Sequence, residues 1–328
     1  MSDFAHPTPR VPVGRRLRRL LADQPMIPLI ILLLALCAVL ETLTPGIISP
    51  LWIANTIKFA IPLALLAGAQ TLTMLTGGID LSVGTVGTMA AFIMATQIVH
   101  HDPVTTFALA MLPAVLIGIA NGIGVGIFRV HPLIMTLGTG LVGSGILQVY
   151  QRTVIASGSE IPGFIVWLGT GLTYGVPNAL LLFVPLAGLI ILILRRTGIG
   201  RQIYAIGDNE KAARLSGSSY PQVILAVYIA SSMLAGIAGL LYVGVIRTPS
   251  LTLLEPLVLP SVAATIIGGT SIFGGRGTYG TAILGALILR VLTTLLTVLQ
   301  MPEGLRQGLF GAVILLVTAI YLRIVEDH

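Results

Sequence analysis

The sequence predicts an all-α integral membrane protein, a polytopic helical bundle of about ten transmembrane helices with broken or re-entrant segments. Three observations predict it. Of 328 residues, 55% are hydrophobic and only 9% are charged. Soluble domains carry roughly a quarter charged residues, so this chain lacks the polar side chains to cover a water-facing surface. The apolar residues gather into runs near the ~20 residues a bilayer demands, and the basic residues sit at the edges of those runs.

The runs lie near residues 27–43, 57–76, 83–99, 107–128, 133–150, 179–194, 223–246, 257–267, 281–299 and 305–322. The first follows a basic stretch and resembles a signal peptide, but it is as long as a span and no small-residue cleavage site follows it. It is therefore read as a transmembrane helix behind a basic cytoplasmic arm, residues 1–25, with residues 26–328 as a single transmembrane domain. The eighth run is short and contains Pro260. Residues 161–174, half apolar with Trp167 and several glycines, read as an interfacial or re-entrant piece.

An even number of crossings puts both termini on one side, and the basic residues agree. Arg10, Arg15, Arg16, Arg18, Arg19, Arg129, Arg195, Arg196, Arg201, Lys211, Arg214, Arg276 and Arg323 fall on that side, against Lys58, Arg152 and Arg247 on the other. Positive-inside bias makes the richer side cytoplasmic. This distribution accounts for the net charge of +6 and excludes nucleic acid as the partner. The lone cysteine, Cys37, lies inside the first run without disulfide or metal partners.

Three stretches interrupt the apolar pattern. In "LTGGIDLSVGTVGT", Gly77 and Gly78 can end a helix, and Asp80 or Ser82 can cap the next by accepting from free backbone amides. The same residues also suit a broken helix lining a solute pathway or gate, since irregular backbone at membrane depth is tolerated only inside protein or beside a watery cavity. In "IIGGTSIFGGRGTYGTA", Gly268 and Gly269 match Gly77 and Gly78. An even number of crossings separates the two stretches, which places them on one side, whereas an inverted repeat needs an odd number. The second stretch contains "GRGTYG", which fits G-x-G-x-x-G, but a dinucleotide fold requires a preceding strand and here both flanks are spans. The third stretch, "GDNEKAARLSG", reads as a short exposed helix over residues 210–215, capped by Asp208 or Asn209 and ended by Gly217. Exposed Ala212 and Ala213 leave room there for a docking partner. Gly118, Gly122 and Gly126 recur at four-residue steps and predict close helix packing.

No catalytic or metal constellation is present. His100 and His101 are adjacent and point about 100° apart on a helix, which suits one metal poorly. No H-E-x-x-H or G-x-S-x-G occurs. An ion-coupled secondary transporter would place more ionisable residues inside spans than Arg290 and the few others found here, and a membrane-embedded enzyme would need paired catalytic groups.

"GGIDLSVG", "GRQIYAIGDNEKAARLSG" and "IGGTSIFGGRGT" resemble the membrane permease subunits of bacterial ABC importers for monosaccharides, of the ribose/xylose/arabinose/galactofuranose type. The resemblance runs from about the first span to the last. It implies a multi-pass inner-membrane permease that forms the translocation pathway by alternating access and binds no cofactor itself. ATP and Mg would lie on separate cytoplasmic ATP-binding subunits. A second permease subunit, a periplasmic sugar-binding protein and membrane lipid complete the implied partners. Gly207, Asn209, Ala212, Ala213 and Gly217 match the family's ATPase-coupling segment. Many sugar permeases carry two acids just before the second Gly-Gly, where this chain has Val258 and Pro260, with Glu255 three residues earlier. A permease for autoinducer-2, a polyol or a nucleoside is the neighbouring expectation.

Overall fold

A computed structural model describes residues 26–154, 158–302, 304–309, 311–312 and 315. The basic arm and most of the last apolar run lie outside these residues. Among the described residues, seven helices are long and apolar enough to cross a membrane. They are α1 (Met26–Leu43), α2 (Pro50–Leu75), α4 (Pro103–Gly126), α5 (Pro132–Val154), α7 (Ala179–Arg196), α10 (Tyr220–Ile246) and α12 (Tyr279–Val298). Between them lie shorter helices: α3 (Val83–Gln97), α6 (Gly163–Thr170), α8 (Gly198–Asp208), α9 (Glu210–Leu215) and α11 (Val258–Ile267).

The entries to the long helices follow capping chemistry. Ser49 accepts from the Trp52 amide ahead of α2, with Pro50 at a position that needs no N–H donor. Asp102 accepts from the Val104 and Thr105 amides at 2.9 and 3.1 Å to start α4. Residues 161–174 do not form a span. Their helix α6 has eight residues, about 12 Å at 1.5 Å per residue. It leads into a hairpin, β1 (Leu172–Thr173) and β2 (Val176–Pro177), turned by Tyr174 and Gly175, both at positive φ.

Helix α10 is the centre of the bundle, packed against α2, α3, α4 and α6. The small-residue spacing on α4 serves this packing. Added Cβ atoms on Gly118 and Gly122 would sit 2.8 and 2.7 Å from the Cα atoms of Ile229 and Leu225, and one on Gly126 would sit 3.2 Å from the Pro221 oxygen. Contact positions on α10 descend as those on α4 ascend, so the two helices run antiparallel with backbones nearly touching. By contrast α5 buries only a stripe, Thr136, Gly140, Gly143 and Leu147, and leaves Leu141, Val142 and Val149 facing outward.

Two of the apolar runs behave differently from the spans expected of them. Helices α3 and α11 have 15 and 10 residues, about 22 and 15 Å long, against a hydrocarbon core of about 30 Å. Each follows irregular chain, and their N-terminal ends abut. An added Cβ on Gly84 would lie 3.4 Å from Glu255 Cα and from the Leu254 oxygen, and would strike the Val258 side chain. The Leu254 amide donates to Thr88 Oγ1 at 3.0 Å.

Lys58, placed with the outer loops on charge count, is instead buried within α2. Arg290 in α12 lays its guanidinium over the Phe59 ring, 4.5 Å from the centroid, a cation–π contact that suits a cation in a dry setting.

Candidate functional site: two helix breaks joined to a surface segment

Helix α2 ends in a hydrogen-bonded helix stop. Gly77, at φ +81°, donates to the Met74 oxygen, and the Gly78 amide donates to the Thr73 oxygen. Helix α11 ends the same way: Gly269, at φ +82°, donates to the Ile266 oxygen, and Thr270 to Thr265. Helix α9 repeats it at Gly217, φ +87°, with bonds from Gly217 to Arg214 and from Ser218 to Ala213. This two-bond motif requires a left-handed residue just past the helix, which glycine adopts without cost. It corrects the pairing of the two Gly-Gly stretches by one residue. Gly77 corresponds to Gly269, and Thr76 to Gly268, because the hydrogen-bond frame rather than the doublet sets the register.

Beyond Gly78 the chain turns back alongside α2. Gln70, about 7.5 Å up the helix from Leu75, grips the main chain of Asp80 from both sides: its amide donates to the Asp80 oxygen at 2.8 Å, and its carbonyl accepts the Asp80 amide at 3.2 Å. Asp80 is thereby held at depth, with its residue fully buried.

The Asp80 carboxylate gathers donors. Oδ1 accepts from the Ser82 hydroxyl at 2.6 Å and the Ser82 amide at 3.0 Å, and Oδ2 accepts from the Ser231 hydroxyl of α10 at 2.8 Å. Asn121 of α4 donates to Ser82 Oγ at 2.9 Å and accepts from Thr139 of α5 at 2.7 Å. Thr136 of α5 accepts the Leu81 amide at 3.0 Å. One carboxylate thus terminates a directed series of donors that ties α4, α5 and α10 to the break. Neither Asp80 nor Ser82 caps α3 in the expected way. Ser82 occupies the cap position but makes no side-chain bond to the helix, because its hydroxyl is drawn to the carboxylate by a charge-assisted bond. The negative group still lies beside the positive end of α3. The two ion pairs found among the described residues do not include Asp80.

The two breaks meet at one end of the bundle, on the same side as expected from the even number of crossings. The Gly275 amide donates to the Leu75 oxygen at 3.0 Å, and an added Cβ on Gly77 would lie 3.5 Å from the Phe273 oxygen. The first four residues of "GRGTYG" end this second loop, in which Gly274, Gly275 and Gly277 are at positive φ, and its Tyr279 and Gly280 begin α12. It follows helix α11 rather than a strand.

The third stretch joins the same place. Helix α8 buries Gly200, Ile203 and Ile206 along one face, and its end brings Gly207 into contact with Leu75, Gly274 and Gly275. Tyr204 donates to the Gly277 oxygen at 2.8 Å. Burial pushes its phenol pKa up more than the Arg195 charge lowers it, so Tyr204 remains a donor at neutral pH. Asn209 caps α9 through the Ala212 amide at 3.0 Å. Glu210 pairs with Arg129 at 2.8 Å, and that guanidinium stacks on Tyr220 at 3.7 Å. Lys211, Ala212 and Arg214 are exposed, and Leu215 is 91% exposed. Ala213 is the exception to the expected open face: it is buried, since a helix of six residues must turn one residue inward to stay on the bundle. Sequence reasoning missed Gln70, Asn121 and Ser231. They are polar residues inside apolar runs, and that was their only signal.

The family profile described as "Branched-chain amino acid transport system / permease component" matches residues 52–318. The chain belongs to this permease family. Among similar proteins, a ribose import permease protein of Escherichia coli (strain K12) is 32% identical, covering 89% of this chain and 92% of its own. A ribose import permease protein of Bacillus subtilis (strain 168) is 31% identical over 87% and 88%. A fructose import permease protein of Rhizobium meliloti is 29% identical over 93% and 88%. No solved structure matches. The permease is a multi-pass membrane protein and a transport subunit, and the breaks and the short helices α3 and α11 lie within the matched region.

Proposed function

We propose that this permease forms the translocation pathway of an ATP-driven monosaccharide importer in a bacterial inner membrane, with both termini in the cytoplasm. The observation that carries the substrate class is the set of relatives named for ribose, fructose and galactofuranose, each aligned over most of this chain. In this reading α9 docks into a cytoplasmic ATP-binding subunit, which holds ATP and Mg. A second permease subunit completes the pathway, and a periplasmic binding protein delivers the sugar. The outward faces of α1 and α5 contact lipid. The short helices α3 and α11 support a pathway role for the breaks, because backbone that leaves its helix at membrane depth is tolerated inside protein or against a watery cavity.

A neighbouring reading, a different small polar solute such as autoinducer-2, a polyol or a nucleoside, is favoured by one observation. Val258 and Pro260 stand where many sugar permeases carry acids, and Glu255 is exposed at the start of the turn into α11.

The test is reconstitution. The purified chain alone in liposomes should move no ribose or fructose under a proton or sodium gradient. Uptake should require the ATP-binding subunit, the binding protein and ATP. Uptake driven by an ion gradient alone would refute the importer reading, and ATP-dependent uptake of a nucleoside or polyol but neither sugar would select the neighbouring one.

A further inference from the structure

We infer that Gly207 is the seat through which movement of the docking helix α9 reaches both helix breaks at once. The inference rests on the docking role proposed for α9 and adds a positioning residue to it. At Gly207 three pieces of main chain converge with no side chain between them. An added Cβ would strike the Leu75 oxygen and the Gly275 amide nitrogen, and one on Gly274 would lie 2.7 Å from the Gly207 oxygen. The Leu75 oxygen and Gly275 amide are themselves hydrogen-bonded at 3.0 Å, so Gly207 presses on the bond that joins the two breaks.

The links on either side are short. Towards the docking helix, Gly207 and Asp208 end α8, and the single extended residue Asn209, at φ −156° and ψ 101°, leads straight into α9. Towards the first break, Leu75 lies two residues before Gly77 and is followed by the chain that Gln70 and Asp80 hold at depth. Towards the second, Gly274, Gly275 and Gly277 hold a loop in left-handed conformations, and Tyr204, on the same helix as Gly207, bonds the Gly277 oxygen. Close-packed main chain has little free volume to absorb a displacement. The chain meets itself a second time where the start of α3, at Gly84, lies against Leu254 and Glu255 just before α11. Residues 75–84 and 254–275 are therefore joined at two places, and Gly207 sits at the one between Leu75 and Gly275.

Hydrogen–deuterium exchange on the complete importer, with Mg and a non-hydrolysable ATP analogue as the trigger, tests this. In the wild type, exchange should change in residues 209–217, 76–82 and 269–277 together. In Gly207→Ala the change should stay in 209–217, while both breaks lose about threefold or more of their response, within the range seen for residues that carry coupling. Gly188→Ala, where an added Cβ meets nothing within 4 Å, should behave as wild type. Breaks that respond fully in Gly207→Ala would overturn the inference. Should that variant fail to assemble, Tyr204→Phe removes only the side-chain bond to Gly277 and keeps every main-chain contact at Gly207, so both breaks should still respond; loss of the response in both would move the coupling to Tyr204 and again overturn the inference. A wild-type importer with no change in 209–217 would refute the docking role itself.

Discussion

Asp80 is an acid inside a membrane protein whose charge is met by hydroxyl and amide donors rather than by a cation. Removing one partner of a buried bond leaves the other unsatisfied, at a cost of about 1–3 kcal/mol. Asp80→Asn nearly preserves shape but turns one acceptor into a donor facing Ser82 or Ser231. It should destabilise the permease within that range, seen as a lower unfolding temperature in detergent, and Ser231→Ala should cost less. An Asp80→Asn protein as stable as wild type would show that the carboxylate does not hold the break. Asp102 presents a simpler case at the edge of the bundle. The Thr105 hydroxyl and amide hold its carboxyl below the usual range, offset in part by desolvation. A depressed folded pKa adds stability above the unfolded value near 3.9 and loses it as pH falls through the folded value. Asp102→Asn should therefore flatten the acid limb of a stability–pH curve below about pH 4 and leave neutral behaviour close to wild type, since Asn also caps helices.

At the scale of elements, glycine does two separate jobs that look alike in the sequence. Gly77, Gly217 and Gly269 end helices by adopting left-handed backbone, whereas Gly118, Gly122 and Gly126 let α4 lie against α10. Gly122→Leu should wedge these helices apart and cost roughly 1–3 kcal/mol or more, the penalty of forcing extra atoms into a packed core. Gly188→Leu on α7 should cost almost nothing by the same thermal measurement. The likeness between the two Gly-Gly stretches is likewise an element-level matter: each stops a helix at the same end of the bundle, which accounts for the shared letters without an inverted repeat between these two positions.

The whole molecule places two short helices nose to nose, α3 beside α10 and α11 beside α2 and α12, with Glu255 exposed where they meet. Glu255, Pro256, Leu259, Pro260 and Gln307 line a small cavity of about 270 Å³. If a sugar hydroxyl is recognised there, Glu255→Gln should raise the KM for ribose uptake by roughly tenfold, the worth of one charge-assisted hydrogen bond, with little change in the maximal rate. An unchanged KM in the reconstituted importer would remove Glu255 from the recognition site.

The membrane class, most of the long helices, the capped α9 and its glycine stop were all legible in the residues, because composition, run length and caps depend on near neighbours in the chain. The shortness of α3 and α11 was not: a run's apolar content states that it is buried, not how deep it begins. The roles of Gln70, Asn121, Ser231 and Gly207 lay equally beyond reach, since each is defined by a partner far away in the chain. By itself the sequence determined that this protein spans a membrane and where its helices break. Only the tertiary structure decided that both breaks share one joint with the surface segment, because hydrogen bonds between distant main-chain groups leave no mark on local pattern.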